Sequence, residues 1–290
     1  SSPSRGLGDV YKRQLYTSGR ASNEAAFLWG VLARQIGTNN LPDCSNMCHE
    51  SSGVALSESI GIEKGTVKLS CFEKADLILV IGQNPGTNHP RMLTALAACK
   101  ENGGSVVSIN PLEETAMKRF KHPQNPLHLI GRGVQIADEH LPVRIGGDAA
   151  LLQGFAKTIL SQGGADLDFI SANTLGFEDW KKHIESTDWE KIVEQSGISR
   201  DRIEKTGNAI AKSERMIVCW AMGLTQHENS VSVIQEVSNL LLAGGHFGKP
   251  GAGACPVRGH SNVQGDRTVG VNHNPTEDFI SSSERETGIN

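Results

Sequence analysis

The sequence predicts an α/β fold built on a doubly wound, mostly parallel sheet, and three observations carry that expectation. The run Ala75-Asp76-Leu77-Ile78-Leu79-Val80-Ile81 is almost continuously apolar, as strands covered on both faces of a parallel sheet are. Gly82-Gln83-Asn84-Pro85-Gly86 ends it, a helix is predicted from about Pro90 to Lys100, and Gly103-Gly104 break the chain before a second strand, Ser105 to Ile109. Strand, Gly-rich turn, helix and strand make a βαβ unit. The pattern then recurs, with a short strand near Leu141 to Val143 and another buried strand from Met216 to Met222.

The remaining elements follow in order. Residues 1–14 stand apart: Asp9-Val10-Tyr11-Lys12-Arg13-Gln14 resembles the translation of a transposon-end adapter used in preparing sequencing libraries, with an N-terminal arm or tag as the alternative, so the segment is set aside from the fold reading. Ser22 is a candidate N-cap for a helix from about Asn23 to Gln35, with Ala25, Leu28, Leu32 and Ile36 as its apolar stripe. Gly37-Thr38-Asn39-Asn40 stops that helix; a polar, Cys-containing loop and a shorter segment around Val54 to Ile60 come next. Gly146-Gly147-Asp148 open a helix carrying Leu151, Leu152, Phe155 and Ile159. Further helices are expected around Trp189 to Gln195, Arg200 to Ser213 and Ser230 to Ala243, the last ended by Gly244-Gly245. From Phe247 onward the chain reads as Gly-rich loop, and Ser281 to Asn290 as a polar tail with no closing element.

At 290 residues, with 38% hydrophobic and 21% charged residues, the chain has the material for a buried core. Lys and Arg number 28 against 32 Asp and Glu, a net charge of -4 that gives no global attraction to nucleic acid or anionic membranes. The longest apolar runs are far too short to span a bilayer. The thinly spread cysteines Cys44, Cys48, Cys71, Cys99, Cys219 and Cys255, with no signal peptide in view, suggest reduced thiols in a cytoplasm.

Ligands of open α/β sheets bind outside the carboxyl ends of the strands, and unusual loops fall there. Gly82, Asn84, Pro85 and Gly86 follow the first strand, Asn110 and Glu113 the second, Arg144, Gly146, Gly147 and Asp148 the third, and Gly223, Thr225 and Gln226 the fourth. Glycines let a backbone approach a diphosphate, and Asn, Asp and Glu can read a nucleobase or ribose edge. Any one such loop is equally well a turn; their recurrence favours a nucleotide-like ligand. No GxxxxGK[ST] loop and no strand-placed GxGxxG is present, so an ordinary ATPase or NAD site has little support. Asp43-Cys44-Ser45-Asn46-Met47-Cys48-His49-Glu50-Ser51-Ser52-Gly53 offers two thiols, an imidazole and a carboxylate in a loop leading into a helix, where a lowered thiol pKa would be expected. Zinc is a weaker reading, because Cys44 and Cys48 lack a second matching pair. A Cys-His dipeptide alone is more often structural. Near the end, Cys255-Pro256-Val257-Arg258-Gly259-His260-Ser261-Asn262-Val263-Gln264-Gly265-Asp266 sets Arg258 among glycines and amides, fit to clamp a carboxylate or phosphate or simply to pair with a local acid.

Taken together, Ser18-Gly19-Arg20-Ala21-Ser22-Asn23-Glu24, Gly37-Thr38-Asn39-Asn40, Cys48-His49, Gly82-Gln83-Asn84-Pro85, Pro256-Val257-Arg258-Gly259 and Asn262-Val263-Gln264-Gly265 resemble the molybdenum-bis-pyranopterin guanine dinucleotide (bis-MGD) oxidoreductases, in their formate dehydrogenase-like FdhF/YdeP branch. The resemblance runs from Leu15 to about Asn272. It implies Cys48 as the molybdenum ligand, His49 as a proton-transferring residue and Arg258 at the border of the substrate pocket. It also implies that the loops carrying Gly82, Asn84, Pro85, Asn110, Glu113, Arg144, Gly146, Asp148, Gly223 and Gln226 hold the guanine dinucleotide arms. The implied architecture is a Rossmann-like domain of residues 46–257, inserted into a second, incomplete α/β domain made of residues 15–45 and 258–290. A [4Fe–4S] region before it and a pterin-binding domain after it would complete a larger enzyme, leaving this piece inactive alone. A small-molecule substrate and an electron-transfer partner are implied; a molybdenum-free structural or electron-relay subunit is the alternative. Glu50 and Ser51 depart from the small or proline residues that formate dehydrogenases carry after the histidine, which adds a charge beside the metal site.

Overall fold

The structure, a computed structural model, describes residues 13–124, 126 and 130–288. Of the segment set aside above, residues 1–12 lie outside that range. The chain divides into two units, one of Ser51–Val257, the other of the residues up to Glu50 and from Arg258 onward.

The larger unit is built on five strands, β1 (Leu77–Ile81), β2 (Ser105–Ile109), β3 (Glu139–Leu141), β4 (Met216–Trp220) and β5 (Gly253–Pro256), in the order β3-β2-β1-β4-β5. All four pairings are parallel. The order runs outward from β1 in both directions, so the sheet is doubly wound and its winding reverses between β1 and β4.

Every residue of β1 and β4 is buried, and their side chains alternate between two cores as a period of two requires. Leu77, Leu79 and Ile81 join Met216, Val218 and Trp220 on one face; Ile78 and Val80 join Ile217 and Cys219 on the other. The first face is covered mainly by two long helices, here α7 (Asp148–Ser161) and α13 (Ser230–Ala243); α5 (Met92–Glu101) covers the second. Trp220, fully buried, donates from Nε1 to Ser52 Oγ at 2.9 Å, which satisfies the indole where water is absent.

Helices α1 (Asn23–Gln35), α2 (Ser45–Cys48), α3 (Glu50–Ile60), α4 (Pro85–Asn88) and α6 (Thr115–Lys118) precede α7 along the chain; α8 (Leu167–Asn173), α9 (Phe177–Ser186), α10 (Trp189–Ser196), α11 (Arg200–Lys212) and α12 (Met222–Thr225) lie between α7 and α13. The predicted third strand sits two residues earlier than expected.

The tail after Phe247 is not all loop. It holds β5, α14 (Val263–Thr268) and α15 (Glu277–Thr287), the last capped by Thr276 Oγ1 accepting from Phe279 N at 3.3 Å, so Ser281 to Thr287 is helix rather than an open tail. β5 is hidden from pattern reading because Gly253-Ala254-Cys255-Pro256 is small and short. It is held by its parallel pairing with β4, Ile217 to Trp220 facing Gly253 to Pro256, and on its other side by Thr66, with Thr66 N donating to Ala254 O at 2.9 Å and Ala254 N to Thr66 Oγ1 at 3.0 Å.

In the smaller unit, Ala26, Ala33, Leu41 and Val271 form a compact core. The buried face of α1 is its small-residue face, Ala26, Gly30 and Ala33. The expected stripe is turned outward, with Leu28 65% and Leu32 41% exposed. On the buried side Arg34 folds back over Gly30 and donates from Nη2 to Gly270 O at 3.0 Å.

Candidate functional site

At the carboxyl ends of β1 and β4, beside the reversal of the sheet, two glycine backbones touch. Gly82 has φ +57°, and a Cβ on it would lie 2.7 Å from Gly223 Cα; a Cβ on Gly223 would lie 2.4 Å from Gly82 Cα. Gly223 N donates to Gly82 O at 3.0 Å. Neither position has room for a side chain, and the obstacle is backbone, which cannot rotate away. The next residue, Gln83, is buried; its Nε2 reaches His89 Nδ1 at 3.3 Å and Met92 Sδ at 3.0 Å, while its buried Oε1 accepts nothing among the described residues. Asn84 caps α4 by accepting from Thr87 N at 3.1 Å, and Pro85 occupies the first helical position.

Asp148 opens α7 and is 6% exposed. A carboxylate at a helix N-terminus is ordinarily favoured by the free N–H groups. Burial wins here and pushes the Asp148 carboxyl up to about 6, with the nearby His227 and the residue's own N–H opposing it. His227 follows Gln226, so the loops after β3 and β4 converge. Gly146, with φ +82°, makes the turn that permits this, and Gly147 lies where a Cβ would strike Gln195 O at 2.5 Å.

Other predicted residues are engaged locally. Arg144 donates from Nη1 to Glu194 O at 2.7 Å and from its N–H to Ser196 O at 2.9 Å, closing the end of α10. Asn110 Nδ2 donates to Leu112 O at 3.2 Å and Glu114 Oε1 at 3.1 Å. Glu113 pairs with Lys118 at 2.6 Å, and that bond holds its carboxyl below the usual range. Glu113, Lys118, Glu139 and His140 line a cavity of about 280 Å³.

In the smaller unit, Cys48 ends the single turn α2, half-buried, and His49 follows it, 1% exposed. Arg258, also half-buried, opens the returning segment of the same unit. The thiol of Cys44 packs on Gly19, where a Cβ would fall 2.3 Å from Sγ. Burial raises the pKa of Cys44, the reverse of the lowering expected for a thiol at a helix entrance. Among the described residues no three His, Cys, Asp or Glu side chains converge as a metal site, so the zinc alternative gains nothing.

Three residues to which the sequence reading assigned no role tie this unit together. Asn262 N donates to Gly19 O at 2.7 Å, and Asn262 Nδ2 to Ala21 O at 2.7 Å and Asn23 Oδ1 at 2.9 Å. Asp43, buried, accepts at Oδ1 from Ser45 N at 2.6 Å and from Ser45 Oγ. Arg267 pairs with Glu50. Asn262 joins two of the blocks on which the resemblance rests, which was the signal available in the sequence.

Comparison with known proteins gives a consistent picture. The profile of the family described as molybdopterin oxidoreductase matches residues 10–287. An uncharacterized oxidoreductase of Mycobacterium bovis is 47% identical over 98% of the chain and 37% of its own length. Protein YdeP of Escherichia coli K12 is 48% identical over 94% of the chain and 37% of its own length. Formate dehydrogenase H of the same organism is 30% identical over 86% of the chain and 33% of its own length. The chain therefore spans about a third of the length of these relatives. Among solved structures, acetylene hydratase from Pelobacter acetylenicus superposes with a TM-score of 0.66 at 20% identity, covering 83% of this chain and 30% of that one, a likeness of fold.

Proposed function

The chain belongs to the molybdopterin oxidoreductase family, and from that premise we propose that its protein is a formate dehydrogenase-like enzyme that holds molybdenum as bis-MGD. The observation that carries the cofactor reading is the reversal of the sheet's winding between β1 and β4, because open α/β sheets bind their ligands in the crevice at that point. The backbone contact of Gly82 with Gly223 holds the loops after β1 and β4 together beside it. The buried Oε1 of Gln83 is a ready acceptor for an amino or hydroxyl group. Asp148, whose carboxyl burial raises to about 6, can below that pH donate a hydrogen bond to a phosphate or a base edge. Asn84, Pro85, Asn110, Glu113, Arg144, Gly146 and Gln226 border the same strand ends. In this reading residues 46–257 form a domain inserted into the one built from residues 15–45 and 258–290, and a [4Fe–4S] cluster belongs to another part of the full enzyme.

Cys48 supplies the protein's thiolate to the metal, since a soft sulfur ligand suits it. When bound, the molybdenum centre supplies a two-electron couple. Oxidation of formate to CO2 releases two electrons and one proton, and His49 is the residue that takes the proton. Arg258 orients the anion, its planar guanidinium matching a carboxylate. Among the described residues no helix is long and apolar enough to cross a membrane.

The test is the metal content of the protein produced in a host that makes the cofactor, beside its Cys48→Ala variant, with dye-linked formate oxidation as the second readout. Near-stoichiometric molybdenum or tungsten, lost from the variant, is expected. A folded protein free of metal and pterin would move the reading to a structural or electron-relay subunit; metal without formate turnover would retain the cofactor and reject the substrate.

A further inference from the structure

Glu50 puts a negative charge immediately after His49, yet its carboxylate is already engaged: Arg267 Nη1 lies 2.9 Å from Glu50 Oε2. The same guanidinium presents Nε to Asp43 Oδ2 at 3.6 Å, within ion-pair range though too long for a hydrogen bond. Asp43 and Glu50 bracket the turn that ends in Cys48-His49. Asp43 also starts that turn, because its Oδ1 accepts from Ser45 N at 2.6 Å and from Ser45 Oγ. One cation thus grips both ends of an eight-residue stretch, from a helix more than 200 residues further along the chain. Burial decides which arm matters more. The Asp43 side chain is 2% exposed and Arg267 22%, whereas Glu50 is 36% exposed. A buried carboxylate without its counter-charge is strongly unfavourable, while a half-exposed pair contributes little.

We propose that Arg267 is a positioning residue that fixes the Cys48-His49 turn by pairing with Asp43 before it and Glu50 after it. This rests on the reading of Cys48 as the metal ligand only in its consequence for the metal; the clamp itself is a property of the protein part. Two effects follow. The thiolate donor is held in one place before any metal arrives, which lowers the ordering cost of ligation. The charge that Glu50 adds next to the site is neutralised locally, so it does not face an anionic substrate unscreened.

The experiment compares wild type with Arg267→Ala, Arg267→Lys and Glu50→Gln in the full protein, measuring the rate of Cys48 alkylation by iodoacetamide in the metal-free form by mass spectrometry. Cys71, half-buried in the other unit, is the internal control. Arg267→Ala is expected to speed Cys48 alkylation about tenfold while Cys71 is unchanged, as loss of a local restraint of this kind opens a segment without global unfolding. Arg267→Lys restores most of the protection, and Glu50→Gln, which keeps the Asp43 arm, gives about a twofold change. Metal retained after dialysis is measured in parallel and should fall in Arg267→Ala. Unchanged Cys48 reactivity in both Arg267→Ala and Glu50→Gln overturns the clamp. If Arg267→Ala does not fold, Arg267→Lys and Glu50→Gln decide, and wild-type rates in both overturn it. Faster alkylation in Arg267→Ala together with full metal retention in Cys48→Ala would keep the clamp and reject Cys48 as ligand, so the two claims fail separately.

Discussion

Replacing Asp148 by Asn should stabilise the larger unit, and by an amount that grows with pH. Burial moves the Asp148 carboxyl from its ordinary 3.8 to about 6, so the folded protein resists ionising it. The stability conferred by the protonated form is complete below pH 3.8, declines through the interval up to about 6 and is absent above it. At ~1.36 kcal/mol per pH unit, the ionised carboxylate costs the folded state about 3 kcal/mol at pH 8, and the side chain's 6% exposure leaves little solvent screening to reduce this. At pH 5 the folded protein still holds its proton, and linkage gives a cost of about 1.6 kcal/mol. Asn fills the same volume without the charge and can still accept one hydrogen bond. Its advantage should therefore rise by about 1.4 kcal/mol between pH 5 and pH 8. Urea unfolding of the cofactor-free protein, followed by tryptophan fluorescence, to which Trp180, Trp189 and the buried Trp220 of the same unit contribute, reads this. An advantage that does not change with pH, or a loss of stability at pH 8, would show that the helix N-terminus and His227 outweigh burial and would refute the argument.

Two further changes test the fold around the site. Gly82→Ala places a methyl 2.7 Å from Gly223 Cα at a φ of +57°, so it should destabilise by about 2 kcal/mol or more and lower pterin content, whereas Gly61→Ala, also at positive φ but with open space around it, should cost only about 1 kcal/mol; equal losses in thermal unfolding would count against close packing at the winding reversal. Ser52→Ala removes the acceptor of the Trp220 indole and should cost about 1 to 3 kcal/mol; an unchanged melting temperature would mean the indole is satisfied elsewhere.

The larger unit was legible where burial writes itself into composition. β1 and β4 are continuous apolar runs because both faces of the sheet are covered. The helices α1, α7, α11 and α13 announce themselves by length and by cap or breaker residues. Strand β5 was not legible: Gly253 takes φ +139° against Thr66, and no pattern of period two survives in four small residues. Helices α8 and α9 escaped because they bury one residue each, Ile170 and Ile184. The loop residues at the strand ends were visible as residue types, but the contact between Gly82 and Gly223 required the strand order. Arg267 was invisible for a similar reason. Its meaning lies in two acids that no local window contains.

That dependence on distant pairing has an energetic side. The smaller unit is made of two segments separated by residues 51–257, and closing a flexible loop of about 200 residues costs about 5 kcal/mol in chain entropy. What joins the segments against that cost is the set of hydrogen bonds from Asn262 to Gly19, Ala21 and Asn23 and from Arg34 to Gly270, the pairing of Arg267 with Asp43 and Glu50, and the core of Ala26, Ala33, Leu41 and Val271. The larger unit lightens that cost wherever it is folded, because Thr66 pairs with Ala254 through two bonds and so holds the early and late ends of that unit together. A lesion in the sheet, such as Gly82→Ala, should therefore loosen the Cys48 turn as well as its own surroundings. Arg267→Ala should leave the sheet untouched. The two variants separate the directions of that dependence: hydrogen exchange in β1 and β4 should speed up in Gly82→Ala and remain at wild-type rates in Arg267→Ala, and a sheet that loosens when only Arg267 is removed would mean that the smaller unit supports the larger one.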